Sequence, residues 1–174
     1  ATLAEIPDDT PFALIIDGLF GIGLTRPPEG RYADWIASAN RLATRDRCPL
    51  LALDCPSGLD ADTGRAHGHP VSASHTLTFM AGKPGLLTGD GPDHCGEIRV
   101  ADLGLDLAAE IPPDGHVADI AEFLPLLAPR ARNSHKGSFG SAGILGGAKS
   151  MLGAALLAGH AALKLGSGRV YLGL

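Results

Sequence analysis

The 174-residue chain is long enough for one domain or for pieces of two. Its 14 Lys and Arg against 19 Asp and Glu give a net charge of −5, scattered in sign, which excludes a basic stripe for nucleic acid. No apolar run approaches the roughly 20 residues that cross a bilayer and no signal peptide opens the chain, so a cytoplasmic protein with neither a membrane nor a nucleic-acid partner is expected.

The first predicted element is Ala13–Asp17 (ALIID), an apolar run closing on a carboxylate that reads as a strand buried on both faces. After the loop GLFGIGLTRPPEG, a helix is predicted from Arg31 to about Arg45, with Trp35, Ile36, Ala39, Leu42 and Ala43 on one apolar stripe. Leu50–Asp54 (LLALD) is a second apolar run ending in a carboxylate, so the order is βαβ with a right-handed crossover. Cys55–Gly68 is turn-rich. His75–Phe79 and Glu97–Ala101 suit short strands, and KPGLLTGDGPDHCG between them reads as a loop too rich in Gly and Pro for regular structure. Pro112, Pro113, Pro125 and Pro129 mark Asp102–Arg132 as a linker, with a short helix around Ala118–Leu127. A second α/β beginning follows: a strand at Ser141–Leu145, a tight turn at Gly146–Gly147, a helix over Met151–Leu165 and a strand at Arg169–Leu174. The expected class is α/β with parallel sheet in both portions, and the chain reads as a fragment spanning a domain boundary near residues 105–135.

Three constellations could carry chemistry. Ligands of open α/β sheets gather outside the carboxyl ends of strands. Asp17 stands at such an end, before a Gly21-Ile22-Gly23-Leu24 loop whose glycines let backbone N–H groups approach a phosphate or an ion; a turn needing positive φ would use the same glycines. Asp54 stands at the next strand's end, followed by Cys55-Pro56-Ser57-Gly58. If the strands are neighbours, the two carboxylates face one crevice and repel unless one is protonated or a cation lies between them. The Ser57 hydroxyl is a hard oxygen of the kind that joins carboxylates around alkali or alkaline-earth ions, or else an ordinary turn hydroxyl. Asp60 and Asp62 read as turn caps, and His67 and His69 as residues of a solvated loop. The third constellation is Asn133–Gly140 ahead of Gly146-Gly147 and a helix N-terminus, suited to anions but lacking the Walker lysine. Cys48, Cys55 and Cys95 have no CxxC spacing and read as reduced thiols.

Four ordered blocks are collectively specific: DGLFGIGLTRP at Asp17–Pro27, LDCPSGLDADTG at Leu53–Gly64, TFMAGKPGLLTGDGPDHCGEI at Thr78–Ile98 and NSHKGSFGSAGILGGA at Asn133–Ala148. They resemble the bifunctional NAD(P)H-hydrate repair enzymes, which join an NAD(P)HX epimerase to an ADP-dependent (S)-NAD(P)HX dehydratase of ribokinase-like fold. The resemblance implies a Rossmann-like epimerase portion over residues 1–104, a linker over 105–127 and the start of the dehydratase over 128–174. It implies K+ ligands at Asp17 and Ser57. Gly21, Ile22, Gly23, Leu24, Thr25, Arg26 and Pro27 correspond to the loop that wraps the hydrated dinucleotide. Asp54 corresponds to the residue at the hydrated nicotinamide, the choice for acid/base work, and Ala154 to a substrate contact in the dehydratase. It further implies NAD(P)HX as substrate, ADP for the dehydratase, a homo-oligomer, an Asn-Asn-Gly-Gly-Asp-Gly segment upstream and a GDxLAG segment downstream. A non-catalytic nucleotide-binding module and a carbohydrate or vitamin kinase are the competing readings.

Overall fold

The computed structural model describes residues 9–107 and 111–173. The chain divides into two compact units, Ala1–Gly115 and His116–Leu174, a division that falls inside the stretch 105–127.

In the first unit the strands are β1 (Ile15–Asp17), β2 (Leu50–Leu53), β3 (His75–Phe79) and β4 (Glu97–Ala101), with helices α1 (Arg31–Asp46) and α2 (Gly91–His94). The strands lie in the sheet in chain order, and every neighbouring pair is parallel. Helix α1 forms where the apolar stripe predicted it, and Arg47 at φ 52° ends it in the left-handed region. Its Ile36 and Ala39 pack on Leu50, Ala52, Val71 and Ala73 to make the main core. A second cluster, Cys55, Leu59, Ala61, Leu86 and Cys95, fills the space beneath the turns after β2.

Two expectations change. Strand β1 is not buried on both faces: Leu14 is 48% and Ile16 57% exposed. Among the described strands it is the outermost, and α1 covers the face that Ile15 shares. The stretch read as irregular between β3 and β4 holds a 3-10 turn at Pro84–Leu86 and the short helix α2. Proline sits in the first turn of both, where its missing N–H costs nothing. Close approach explains the glycines: a Cβ on Gly64, which also sits at φ 72°, would run into the Thr88 carbonyl.

The second unit holds α3 (Ile120–Phe123), strand β5 (Ser141–Leu145), α4 (Leu152–Lys164) and β6 (Arg169–Gly173). Asp119 and Glu122 form a capping box on α3, because each side chain bonds the other's backbone N–H region as that motif requires. β5 and β6 pair in parallel across the α4 crossover. The small residues of α4 serve close packing, since a Cβ on Gly159 would lie 3.1 Å from Leu172 Cδ2.

Candidate functional site

In the first unit, the parallel register sets Asp17 beside Ala52, so the chain after β1 and the chain after β2 leave the sheet at the same edge. That brings Ser57 onto Asp17. Asp17 is 4% and Ser57 1% exposed. The Ser57 N–H donates to Asp17 Oδ2 at 2.8 Å, and its hydroxyl donates to Asp17 Oδ1 at 2.7 Å. The Leu19 N–H adds a third bond to Oδ1 at 3.2 Å. Ser57 Oγ itself accepts from the Phe20 N–H at 2.9 Å and stands 3.3 Å from the Phe20 carbonyl oxygen. Among the described residues no Lys or Arg pairs with Asp17. A buried carboxylate with oxygen neighbours and no protein counter-charge has the donor chemistry that hard cations take. The described residues contain no group of three His, Cys, Asp or Glu side chains of the kind transition metals need.

Asp54 follows β2 directly and is held at φ 69°, in the left-handed region that Asp tolerates better than most residues. Here the crevice carries its own cation. Lys83 Nζ donates to Asp54 Oδ1 at 2.6 Å, to Thr78 Oγ1 at 2.7 Å and to the Phe79 carbonyl at 2.7 Å. Burial alone would raise the Asp54 pKa. The Lys83 hydrogen bond and charge, joined by the N–H groups of Phe79 and Ile22, more than offset burial and hold the carboxyl below the usual aspartate range. A lowered pKa means that this carboxylate adds stability above the ordinary aspartate pKa and loses it as pH falls through the folded value.

The loop from Gly21 to Pro27 starts beside Asp54. Gly21 lies against Asp54: a Cβ there would stand 2.9 Å from Asp54 Oδ2. Ile22, Gly23, Thr25, Arg26 and Pro27 are exposed, and Leu24 is half-buried. The fold sets Asp17 with Ser57 in one hydrogen-bonded group and Asp54 with Lys83 in another, Gly21 lies against Asp54, and among the described residues no hydrogen bond joins Asp54 to Asp17 or Ser57. Lys83 had no role in the sequence reading. Ala154 is an exposed residue of α4 in the second unit. Asp60 is a turn residue, its Oδ1 accepting from the N–H groups of Asp62 and Thr63 at 3.0 and 2.8 Å. His67 departs from the solvated-loop expectation: its ring is tucked in, with Nε2 3.7 Å from Asp60 Oδ2. Cys55 is fully buried, and burial first, then the charges around it, push its thiol up to about 12, too high for a nucleophile.

Comparison with known proteins adds an independent line. The family described as YjeF-related protein N-terminus matches residues 2–85. Three relatives named bifunctional NAD(P)H-hydrate repair enzyme align along most of the chain. The Leishmania major protein is 40% identical over 172 residues, covering 94% of this chain and 29% of the relative. The Coxiella burnetii protein is 38% identical, covering 90% and 32%, and the Escherichia coli protein 41% identical, covering 90% and 30%. The chain thus spans about a third or less of the length of the curated relatives it matches. The family match takes in both acid-bearing strand ends, and the chain is related to the bifunctional NAD(P)H-hydrate repair enzymes.

Proposed function

We propose that the full-length protein repairs hydrated nicotinamide nucleotides, interconverting (R)- and (S)-NAD(P)HX and dehydrating (S)-NAD(P)HX to NAD(P)H at the expense of ADP. The observation that carries the epimerase half is the pair of carboxylates at adjacent strand ends, Asp17 bound to Ser57 and Asp54 bound to Lys83, with the loop Gly21–Pro27 starting beside Asp54. Asp54 is the acid/base group and the loop holds the dinucleotide. Asp17 and Ser57 would hold K+, which when bound supplies fixed positive charge to the loop and the substrate's polar groups. Gly21 must stay small so that the substrate ring reaches Asp54 Oδ2. For the dehydratase half, Ala154 on α4 is the substrate contact within this chain, and the ADP-binding and GDxLAG elements belong elsewhere in the protein.

The test is an assay of full-length protein with purified (R)-NADPHX, followed by chromatography of both epimers with and without ADP. Protein-dependent appearance of the S form without ADP, and of NADPH with it, is the expected result. Binding of NADPHX with no interconversion would replace this reading by that of a nucleotide-binding module. Phosphorylation of small alcohols in preference to NADPHX would replace it by a kinase.

Gly21→Ala probes the crevice separately. Gly21 does not sit at positive φ, so the added methyl strains no backbone and acts only through its 2.9 Å approach to Asp54. Epimerisation kcat/KM should fall about tenfold to a hundredfold, as a misplacement of around an ångström does. Stability should change by less than about 1 kcal/mol in urea unfolding.

A further inference from the structure

Lys83 lies in the block Thr78–Ile98 but carries none of the proposed roles. An ammonium has three N–H donors. Those of Lys83 are all spent, on Asp54 Oδ1 at 2.6 Å, Thr78 Oγ1 at 2.7 Å and the Phe79 carbonyl at 2.7 Å. It therefore has no donor left to hand to a ligand, and its effect must pass through Asp54.

The groups bonded to Asp54 Oδ1 are all donors. Lys83 and, at 3.4 Å, the Thr78 hydroxyl both donate to Oδ1, and the Phe79 N–H lies at 3.5 Å. A proton on Oδ1 would displace one of these bonds, and the Lys83 ammonium favours the ionised carboxylate. With Oδ1 saturated, Oδ2 is the oxygen turned toward Gly21 and open to a substrate group.

Resting on the repair-enzyme reading above, we infer that Lys83 is a positioning residue that commits Asp54 to act first as a base, so that inversion at C6 passes through ring opening and not through loss of hydroxide. Departure of hydroxide needs an acid to protonate it, and Asp54, held as the carboxylate by Lys83, has no proton to give. The base-first step balances without any co-reactant. Asp54 takes the proton of the C6 hydroxyl, and the O–H electron pair becomes the second bond of a C6 aldehyde. The C6–N1 pair moves to N1, whose charge spreads through the C2=C3 bond into the carboxamide, and Asp54 returns the proton to N1. Rotation about C5–C6 offers the other aldehyde face, and reversal closes the ring with inverted C6. The substrate's own oxygen stays with it throughout.

The experiment uses full-length protein and (R)-NADHX in heavy-oxygen water, with mass spectrometry of the hydrate and subtraction of spontaneous epimerisation. The expected S product keeps its light oxygen. Uptake of one solvent oxygen per inversion would overturn the inference. Lys83→Met should lower kcat about a hundredfold with KM little changed, and its residual turnover should begin to take up solvent oxygen, because Asp54 can then carry a proton. Lys83→Arg, which keeps the charge, should retain more activity than Lys83→Met. A folded Lys83→Met with unchanged kcat would overturn the role of Lys83. If Lys83→Met fails to fold, the oxygen fate in the unsubstituted protein and in Lys83→Arg still decides. Asp54→Asn run alongside separates the two failures: if it too leaves epimerisation intact, the acid/base assignment falls and not Lys83 alone.

Discussion

Asp54→Asn is expected to slow R/S interconversion by the full-length protein about 10²- to 10⁴-fold while leaving ADP-dependent dehydration of the S form in place. Asn is the informative replacement because the site fixes backbone as well as side chain. Asp54 sits at φ 69°, a conformation that Asn also tolerates and Ala does not, so the turn should survive the change. The amide oxygen can still accept from Lys83, but it cannot take a proton from a hydroxyl. Chemistry is thus removed and shape kept. The measurement is chiral separation of the epimers during a time course, with NADH formation from the S form as the internal control. Retained interconversion would sink the assignment of Asp54. The same variant should flatten the acid side of the stability profile. The wild-type carboxyl is held below its usual range, so its stabilisation is present above the ordinary aspartate pKa and fades as pH falls toward the folded one. Asn has no such dependence, and the two urea midpoints should converge as pH is lowered.

Why Asp17 and Asp54 could be read from the sequence while Lys83 could not is a matter of which distances the chain encodes locally. Each acid closes an apolar run, and a strand's carboxyl end is where a parallel α/β sheet opens to ligands, so both were candidates before any fold was known. Lys83 reaches Asp54 only because β3 lies directly beside β2, which puts Thr78 and Phe79 at the same edge. Strand order is a long-range property, and nothing within the block TFMAGKPG announces it. The same limit explains the helix α2 and the buried ring of His67. Both lie in Gly-rich segments that look irregular from composition. Their glycines instead permit tight contacts: a Cβ on Gly91 would run into the Gly85 carbonyl, and Gly58 sits at φ 100° against Pro70. The apolar run of β1 records a burial potential that the described residues meet on one face only.

Asp17→Ala should be the most destabilising substitution at the crevice, because the carboxylate is an acceptor for groups that have nowhere else to turn. The Ser57 N–H, the Ser57 hydroxyl and the Leu19 N–H all donate to it, and only the hydroxyl has an alternative, the Phe20 carbonyl 3.3 Å away. Two backbone donors would be left without a partner at the edge of a buried site, at about 1–3 kcal/mol each, so a loss of roughly 3 kcal/mol or more in urea unfolding is expected. Asp17→Asn keeps one acceptor oxygen and should lose less. The comparison between these variants also tests the ion reading. If Asp17 and Ser57 hold K+, the full-length protein should melt higher in potassium chloride than in choline chloride of equal ionic strength, through preferential binding to the native state. Asp17→Asn should erase that difference, because removing the negative charge leaves the hard cation with neutral oxygens alone. A salt-specific increment that survives in Asp17→Asn would mean that the cation, if it binds, binds elsewhere, and that the buried acid at the end of β1 is a structural clasp on the turn carrying Ser57.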